Sequence, residues 1–253
     1  WPERYSLGRL NRLAIRLGSY FFGALYQQRP SSEAGNIFKR GNWQLYDELP
    51  AQALESPIGY ISVDTAGWEE GGDGDYIAWG IICAWQGNLY WRHAERGRYT
   101  FPQAEQKLRD AHTIYGYPLL VEETPNSKSI IQSLSAQGLP VVPYKIEGHS
   151  KTTRAIAVQP FHEAGKLWLP RRAAWRADFI EEHAMFPKGA HDDWVDTSSM
   201  AGLRMLLNFG GAIEYTPPRQ TRLTYTPQRP QDRAARRPGQ LPPPPAGRPG
   251  CRI

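Results

Sequence analysis

Four carboxylates carry the chemistry this sequence could do. Asp64 closes the run YISVD and Glu122 closes LLVE, while Asp192 and Asp193 open a stretch in which Trp194, Val195, Met200, Leu203 and Leu207 recur at helical spacing. Alternation in the first run sets Ile61 and Val63 on one face, Ser62 and Asp64 on the other. Taken singly, an acid at a strand end or an acid pair at a helix N-terminus is ordinary. Three acidic stations at one sheet edge are another matter, because packed carboxylates repel and rise in pKa unless a cation holds them. Oxygen ligands with few histidines suit Mg²⁺ or Mn²⁺ rather than zinc. Two such ions roughly 4 Å apart can activate a water and stabilise the leaving oxygen of a phosphodiester. The reaction class implied is phosphodiester hydrolysis, with Asp64 bridging both ions, Glu122 on one and Asp192 or Asp193 on the other. The sequence leaves open which of that last pair coordinates and which caps the helix.

These stations need a scaffold that brings distant segments together. IGYISVD, DYIAWGIICAW and NLYWRHAERG read as three strands, with Gln86-Gly87 between the last two as a hairpin turn. Residues 101 to 115 read as a helix with Pro102 in its first turn, and YPLLVEE as a buried parallel strand. A second helix over 127 to 137 ends at Gly138 and is followed by the strand LPVVPY. Residues 151 to 164, 175 to 185 and 192 to 207 read as helices, with an extended piece at 166 to 169. Three antiparallel strands followed by two right-handed crossovers give an α/β fold, a mixed five-stranded sheet flanked by helices. That is the strand plan of the RNase H-like fold. A doubly wound nucleotide-binding sheet would not start with a three-stranded meander.

Upstream, residues 6 to 25 read as an amphipathic helix capped by Ser6, and 27 to 57 as a linker with at most a short strand at 36 to 38. The boundaries expected are 1–50 for the helix and linker, 51–215 for the sheet domain and 216–253 for a tail. The tail from residue 217 has eight Arg, ten Pro and one acid, so it carries +7 while residues 1 to 216 carry −2. The formal charge of +5 therefore belongs to a segment that cannot bury a core and is expected to be disordered or polyproline II. Two cysteines, Cys83 and Cys251, supply neither a disulfide framework nor a structural zinc site. No apolar run reaches the ~18 residues needed to span a bilayer, so no membrane partner is expected. The first residue is Trp1, as for a piece of a longer chain.

The ordered series of motifs resembles one known family, the nuclease domain of the large terminase subunit of tailed bacteriophages. ISVDTAG followed by DYIAW is similar to that family's first acidic motif, and LVEETPNSKSIIQSL to its second. FPKGAHDDWVDTSSMA resembles the third, and KTTRAIAVQPFHEAGKLWLP the stretch before it. WPERYSL, ALYQQRP and NIFKRGNWQLYDELP look like the segment trailing the ATPase motor and leading into the nuclease. The resemblance implies a metal-dependent endonuclease that cuts concatemeric viral DNA during packaging in the cytoplasm of a bacterial host. Its partners would be double-stranded DNA, the small terminase subunit and the portal protein. Carried over residue by residue, the ligands are Asp64, Glu122 and Asp193 or Asp192, with Asp75 in the surrounding shell. No phosphate-binding loop is present, since GHSKT at 148 to 152 lacks the required glycine spacing. The ATPase motor would come from a missing N-terminal part or another chain.

A domain of net −2 needs local positive surface to meet phosphates, and Lys145, Lys151 and Arg154 are the residues expected to contact the DNA backbone. His191, directly before the acid pair, is a candidate for positioning water or the scissile phosphate, beside its simpler use at a helix start. Two other readings stand next to the nuclease: a non-catalytic assembly module docking on portal or small terminase, and another RNase H-like nuclease such as a junction resolvase.

Overall fold

The computed structural model describes residues 5–28, 37–65, 77–125, 127–146 and 148–208, and the side chains of these except 206–208. The tail and Asp75 lie outside the described residues. Seven strands form one sheet: β1 (Gln44–Tyr46), β2 (Gly59–Asp64), β3 (Ile77–Trp85), β4 (Asn88–Gly97), β5 (Leu119–Glu122), β6 (Val141–Tyr144) and β7 (Leu167–Pro170). Their order across the sheet is β1-β7-β4-β3-β2-β5-β6. β2, β3 and β4 make the expected antiparallel meander. β5 then joins β2 and β6 joins β5, both in parallel. The turn between β3 and β4 puts Gln86 and Gly87 at φ 48° and 72°, the paired positive values of a hairpin whose twist matches its strands.

The sheet is wider than the five strands expected. β7 adds in parallel to β4, and β1 adds in parallel to β7. The short strand expected at 36 to 38 is instead at Gln44–Tyr46. Nor do residues 37 to 50 trail as a linker outside the sheet domain: Phe38 and Trp43 are buried at 0% and 6% exposure, and Trp43 shares a core with Leu167 and Leu169 of β7.

Helices cover both faces. α3 (Phe101–Tyr115) and α4 (Lys128–Ala136) lay Ala104, Leu108, Ile130 and Leu134 on the face presented by Ile61, Val63, Leu119 and Val121. α3 starts at a capping box in which Thr100 and Gln103 bond each other's backbone. On the opposite face, presenting Tyr60, Ala78, Ile82 and Leu120, sit α5 (Lys151–Glu163), α6 (Arg176–Met185) and α7 (Asp193–Asn208). α5 and α7 approach closely at Gly202, where a Cβ would come within 2.9 Å of Val158 Cγ2. The one-turn helix α2 (Ala51–Leu54) precedes β2.

The N-terminal helix α1 (Leu7–Tyr26) begins where Ser6 accepts from the Arg9 N–H, as expected, but it is not continuous. Gly18 takes φ 72° and ψ 166°, and at this kink Ser19 bonds Glu163 through its N–H at 2.8 Å and its hydroxyl at 2.5 Å. Among the described residues, no helix is long and apolar enough to cross a membrane.

Candidate functional site

Asp64 is the last residue of β2 and Glu122 the last of β5. The parallel ladder pairs Val63 with Val121, so the two acids stand one register step beyond it on neighbouring strands. Strand periodicity gives both the face of Ser62 rather than that of Val63. That face lies under α7, because the Ser62 hydroxyl donates to the Thr197 carbonyl at 2.9 Å. Both carboxylates are buried, Asp64 at 2% exposure and Glu122 at 7%.

The third station divides in two. The Asp192 carbonyl accepts the Asp196 N–H at 2.9 Å, placing Asp192 at the N-cap position of α7. Its carboxylate does not cap, however, but accepts from Lys151 Nζ at 2.8 Å. The cap comes from α6, where Glu182 Oε1 accepts the N–H groups of Trp194 at 2.6 Å and Val195 at 3.4 Å. Asp193 is thereby left free of the capping task. Its side chain is 14% exposed, its Oδ2 is buried without a hydrogen bond among the described residues, and His191 Nδ1 stands 4.0 Å from that oxygen.

A buried network that the sequence did not disclose connects these acids to α5. Arg154 donates through Nη2 to Asp196 Oδ1 at 2.7 Å and holds Nη1 3.5 Å from Glu122 Oε1. Lys151 reaches Asp196 Oδ2 at 2.7 Å as well as Asp192. Arg154 is only 4% exposed, so its expected role as a contact to the DNA backbone is replaced by that of an internal counter-ion. Lys151 keeps its outward half in solvent, and Lys145 is exposed. Asp196 was legible as the third acid of HDDWVD, three residues after Asp193 and so on a neighbouring helix face. Glu182 left no signal, being one of two consecutive acids in a polar helix. Arg96, from β4, pairs with Glu182 and lies over the Trp194 ring at 4.4 Å.

The electrostatics follow from burial. Burial pushes the Glu122 carboxyl above the ordinary range, Arg154 pulls it back and Asp196 pushes it further up. Asp193 is raised by burial and by Asp192, against His191 and Arg96. Burial disfavours the Lys151 ammonium, yet its bonds to Asp192 and Asp196 hold its pKa above the usual value. Carboxylates raised by desolvation and mutual repulsion are groups that a cation would stabilise.

Asp64, Glu122 and the Oδ2 of Asp193, which has no hydrogen bond among the described residues, are hard-oxygen groups of the kind that suit Mg²⁺ or Mn²⁺. Among the described residues, no three acids or histidines already stand close enough together to hold an ion. The sheet brings Asp64 and Glu122 to the ends of neighbouring strands, and Asp193 is the first residue of α7, the helix over that face.

Comparison with known proteins accords with this architecture. A family model described as the terminase RNaseH-like domain matches residues 61–204, more than half of the chain. Comparison with curated protein sequences gives no match. Among solved structures, the large terminase from a thermophilic bacteriophage aligns with a TM-score of 0.57 at 12% identity, covering 79% of this chain and 53% of that one. This chain thus spans about half the length of that protein. The large terminase nuclease from the thermophilic phage G20c with bound magnesium aligns with a TM-score of 0.52 at 17% identity, covering 67% and 97%. The same nuclease with bound cobalt gives 0.52 at 16%, again covering 67% and 97%. At these identities the likeness shows a common fold.

Proposed function

The chain belongs to the family of terminase RNaseH-like domains, and on that premise we propose that it is a divalent-metal-dependent endonuclease, cutting double-stranded viral DNA during genome packaging in the bacterial host cytoplasm. The observation that carries this reading is the placement of Asp64 and Glu122, ending adjacent parallel strands on the one sheet face covered by α7. Solved relatives described with bound magnesium and cobalt support the choice of a divalent ion.

Asp64, Glu122 and Asp193 would hold the metal, which supplies the positive charge that activates a water and stabilises the leaving oxygen. The protein's own residues prepare for this. Arg154 stands beside Glu122 and ties it to α7 through Asp196. Glu182 takes the free N–H groups at the start of α7, so Asp193 need not. Lys151 presents a half-exposed ammonium beside the acids, fixed by Asp192 and Asp196, where an incoming phosphate would meet it. Small terminase, portal and an ATPase motor remain the partners this reading calls for.

The test is nicking of supercoiled plasmid with Mn²⁺ and with chelator. Cleavage that requires Mn²⁺ and is absent from Asp64→Asn supports the nuclease; no cleavage, or equal cleavage by the variant, removes it. Preference for four-way junctions over linear duplex would redirect the reading to a junction resolvase.

A further inference from the structure

Beside the acidic site, a cleft of about 450 Å³ opens between the end of β6 and the helices α5 and α7. Its walls include Tyr144, Lys145, Ile146, Arg154, Leu203 and Arg204, and none of its described lining residues is acidic. The lining mixes the apolar and aromatic Tyr144, Ile146 and Leu203 with the cationic Lys145 and Arg204. Arg154 is engaged by Glu122 and Asp196, so it links the cleft to the acidic site rather than serving a ligand. Lys145 is exposed, and Arg204 has a buried Nε with no hydrogen bond among the described residues.

A ligand that satisfies both kinds of group has a flat, apolar-faced ring and a phosphate. The volume falls within the range of small-ligand sites, roughly 300–1,000 Å³, and has room for a single nucleotide rather than two paired strands. We propose that this cleft seats one unpaired nucleotide of the DNA strand being cut, its base against Tyr144 and its phosphate between Lys145 and Arg204. Base stacking on an aromatic ring within a basic groove is how unpaired strands are held without regard to sequence. The Arg154 wall, shared with Glu122, makes a strand the fitting source of that nucleotide, because the neighbouring phosphodiester then lies toward the carboxylates. The proposal rests on the nuclease reading for the identity of the strand. It adds that the substrate is locally opened at the site, so frayed or overhanging duplex is engaged better than blunt duplex.

The experiment measures anisotropy of labelled hairpin duplexes, one blunt and one with a short single-stranded overhang, in chelator so that no cleavage occurs. Wild-type protein is expected to bind the overhang about tenfold more tightly, and Tyr144→Ala to erase that preference. Lys145→Ala and Arg204→Ala should each lower the salt dependence of overhang binding by about one unit of log–log slope. Equal binding of both duplexes by the wild type, or a preference and slope unchanged in the variants, overturns the proposal. Tyr144 is partly buried, so if its alanine variant does not fold, the exposed Lys145 variant decides. Cleavage of the same duplexes with Mn²⁺ separates the two readings. Metal-dependent cutting without an overhang preference sinks the cleft alone, whereas overhang preference without cutting sinks the nuclease and with it the strand assignment.

Discussion

The guanidinium of Arg154 donates to the Asp196 carboxylate across 2.7 Å, with both side chains at or below 4% exposure. This pair joins α5 to α7 inside the protein and, through the second guanidinium nitrogen, reaches Glu122 at the end of β5. Removing one partner of a buried pair costs about 3–5 kcal/mol, and here the loss falls toward the lower end, because Lys151 still faces Asp196 and Glu122 still faces Arg154. Arg154→Met and Asp196→Leu should therefore each lose stability of that order in urea unfolding. The double variant should recover part of the loss, because two apolar side chains replace two charges while Glu122 is left without its guanidinium. Additive losses would show that the pair is not a unit.

Asp192 and Asp193 should separate cleanly. Asp192 is held by Lys151 near the surface, while Asp193 keeps a buried oxygen without a hydrogen bond. Loss of a metal-binding oxygen weakens the charge stabilisation on which hydrolysis depends. Asp193→Asn should reduce Mn²⁺-dependent cleavage by about a hundredfold or more, and Asp192→Asn by less than about tenfold. The reverse ranking in a plasmid-nicking time course would assign the ligand to Asp192.

Metal-free Asp64→Asn should melt no lower than wild type, since it removes a buried negative charge from the strand end next to that of Glu122. What it should lose is the response to metal. An ion bound only by the folded state stabilises wild type by about 2.7 kcal/mol at a hundred times its Kd, and the variant should show little of this. A large fall in melting temperature without metal would give Asp64 a structural role instead.

Acid lability has opposing contributions here. Burial drives His162 and His183 down to about 4 and about 3, so both are neutral in the folded protein. Stability from such groups is complete above the unfolded histidine value near 6.5 and falls as pH drops toward the folded values. Burial pushes Glu182 up to about 7 despite Arg96, so its contribution runs the other way, being lost as pH rises from about 4.5 to 7. Between pH 7 and 5 each histidine costs about 2 kcal/mol and Glu182 returns roughly 2–3 kcal/mol. Glu122 and Asp193, also raised, act in the same direction as Glu182. Between pH 7 and 5, Glu182→Gln should therefore lose more stability than wild type in urea unfolding and His162→Gln less. The opposite order of the two variants would reverse the signs.

Period-2 alternation in YISVD and the apolar run LLVE made Asp64 and Glu122 legible as acids ending core strands, and the five contiguous strands from β4 to the β6 edge followed from the meander and two crossovers. β1 was not legible, because three residues, QLY, carry no measurable period and become a strand only by pairing with β7, more than 120 residues later. Arg154 misled for a related reason. A basic residue one turn into a helix reads as an outward-facing contact to DNA, and its partners Glu122 and Asp196 are remote in sequence. Tertiary pairing, not local pattern, decides both.

If carboxylates from β2, β5 and α7 together hold the ions that cut DNA, anomalous scattering from crystals soaked in Mn²⁺ will place those ions beside them. The expected map has manganese peaks between Asp64, Glu122 and Asp193, absent in Asp64→Asn crystals. Peaks only at surface acids, or none beside Asp64 and Glu122 at saturating Mn²⁺, would contradict it.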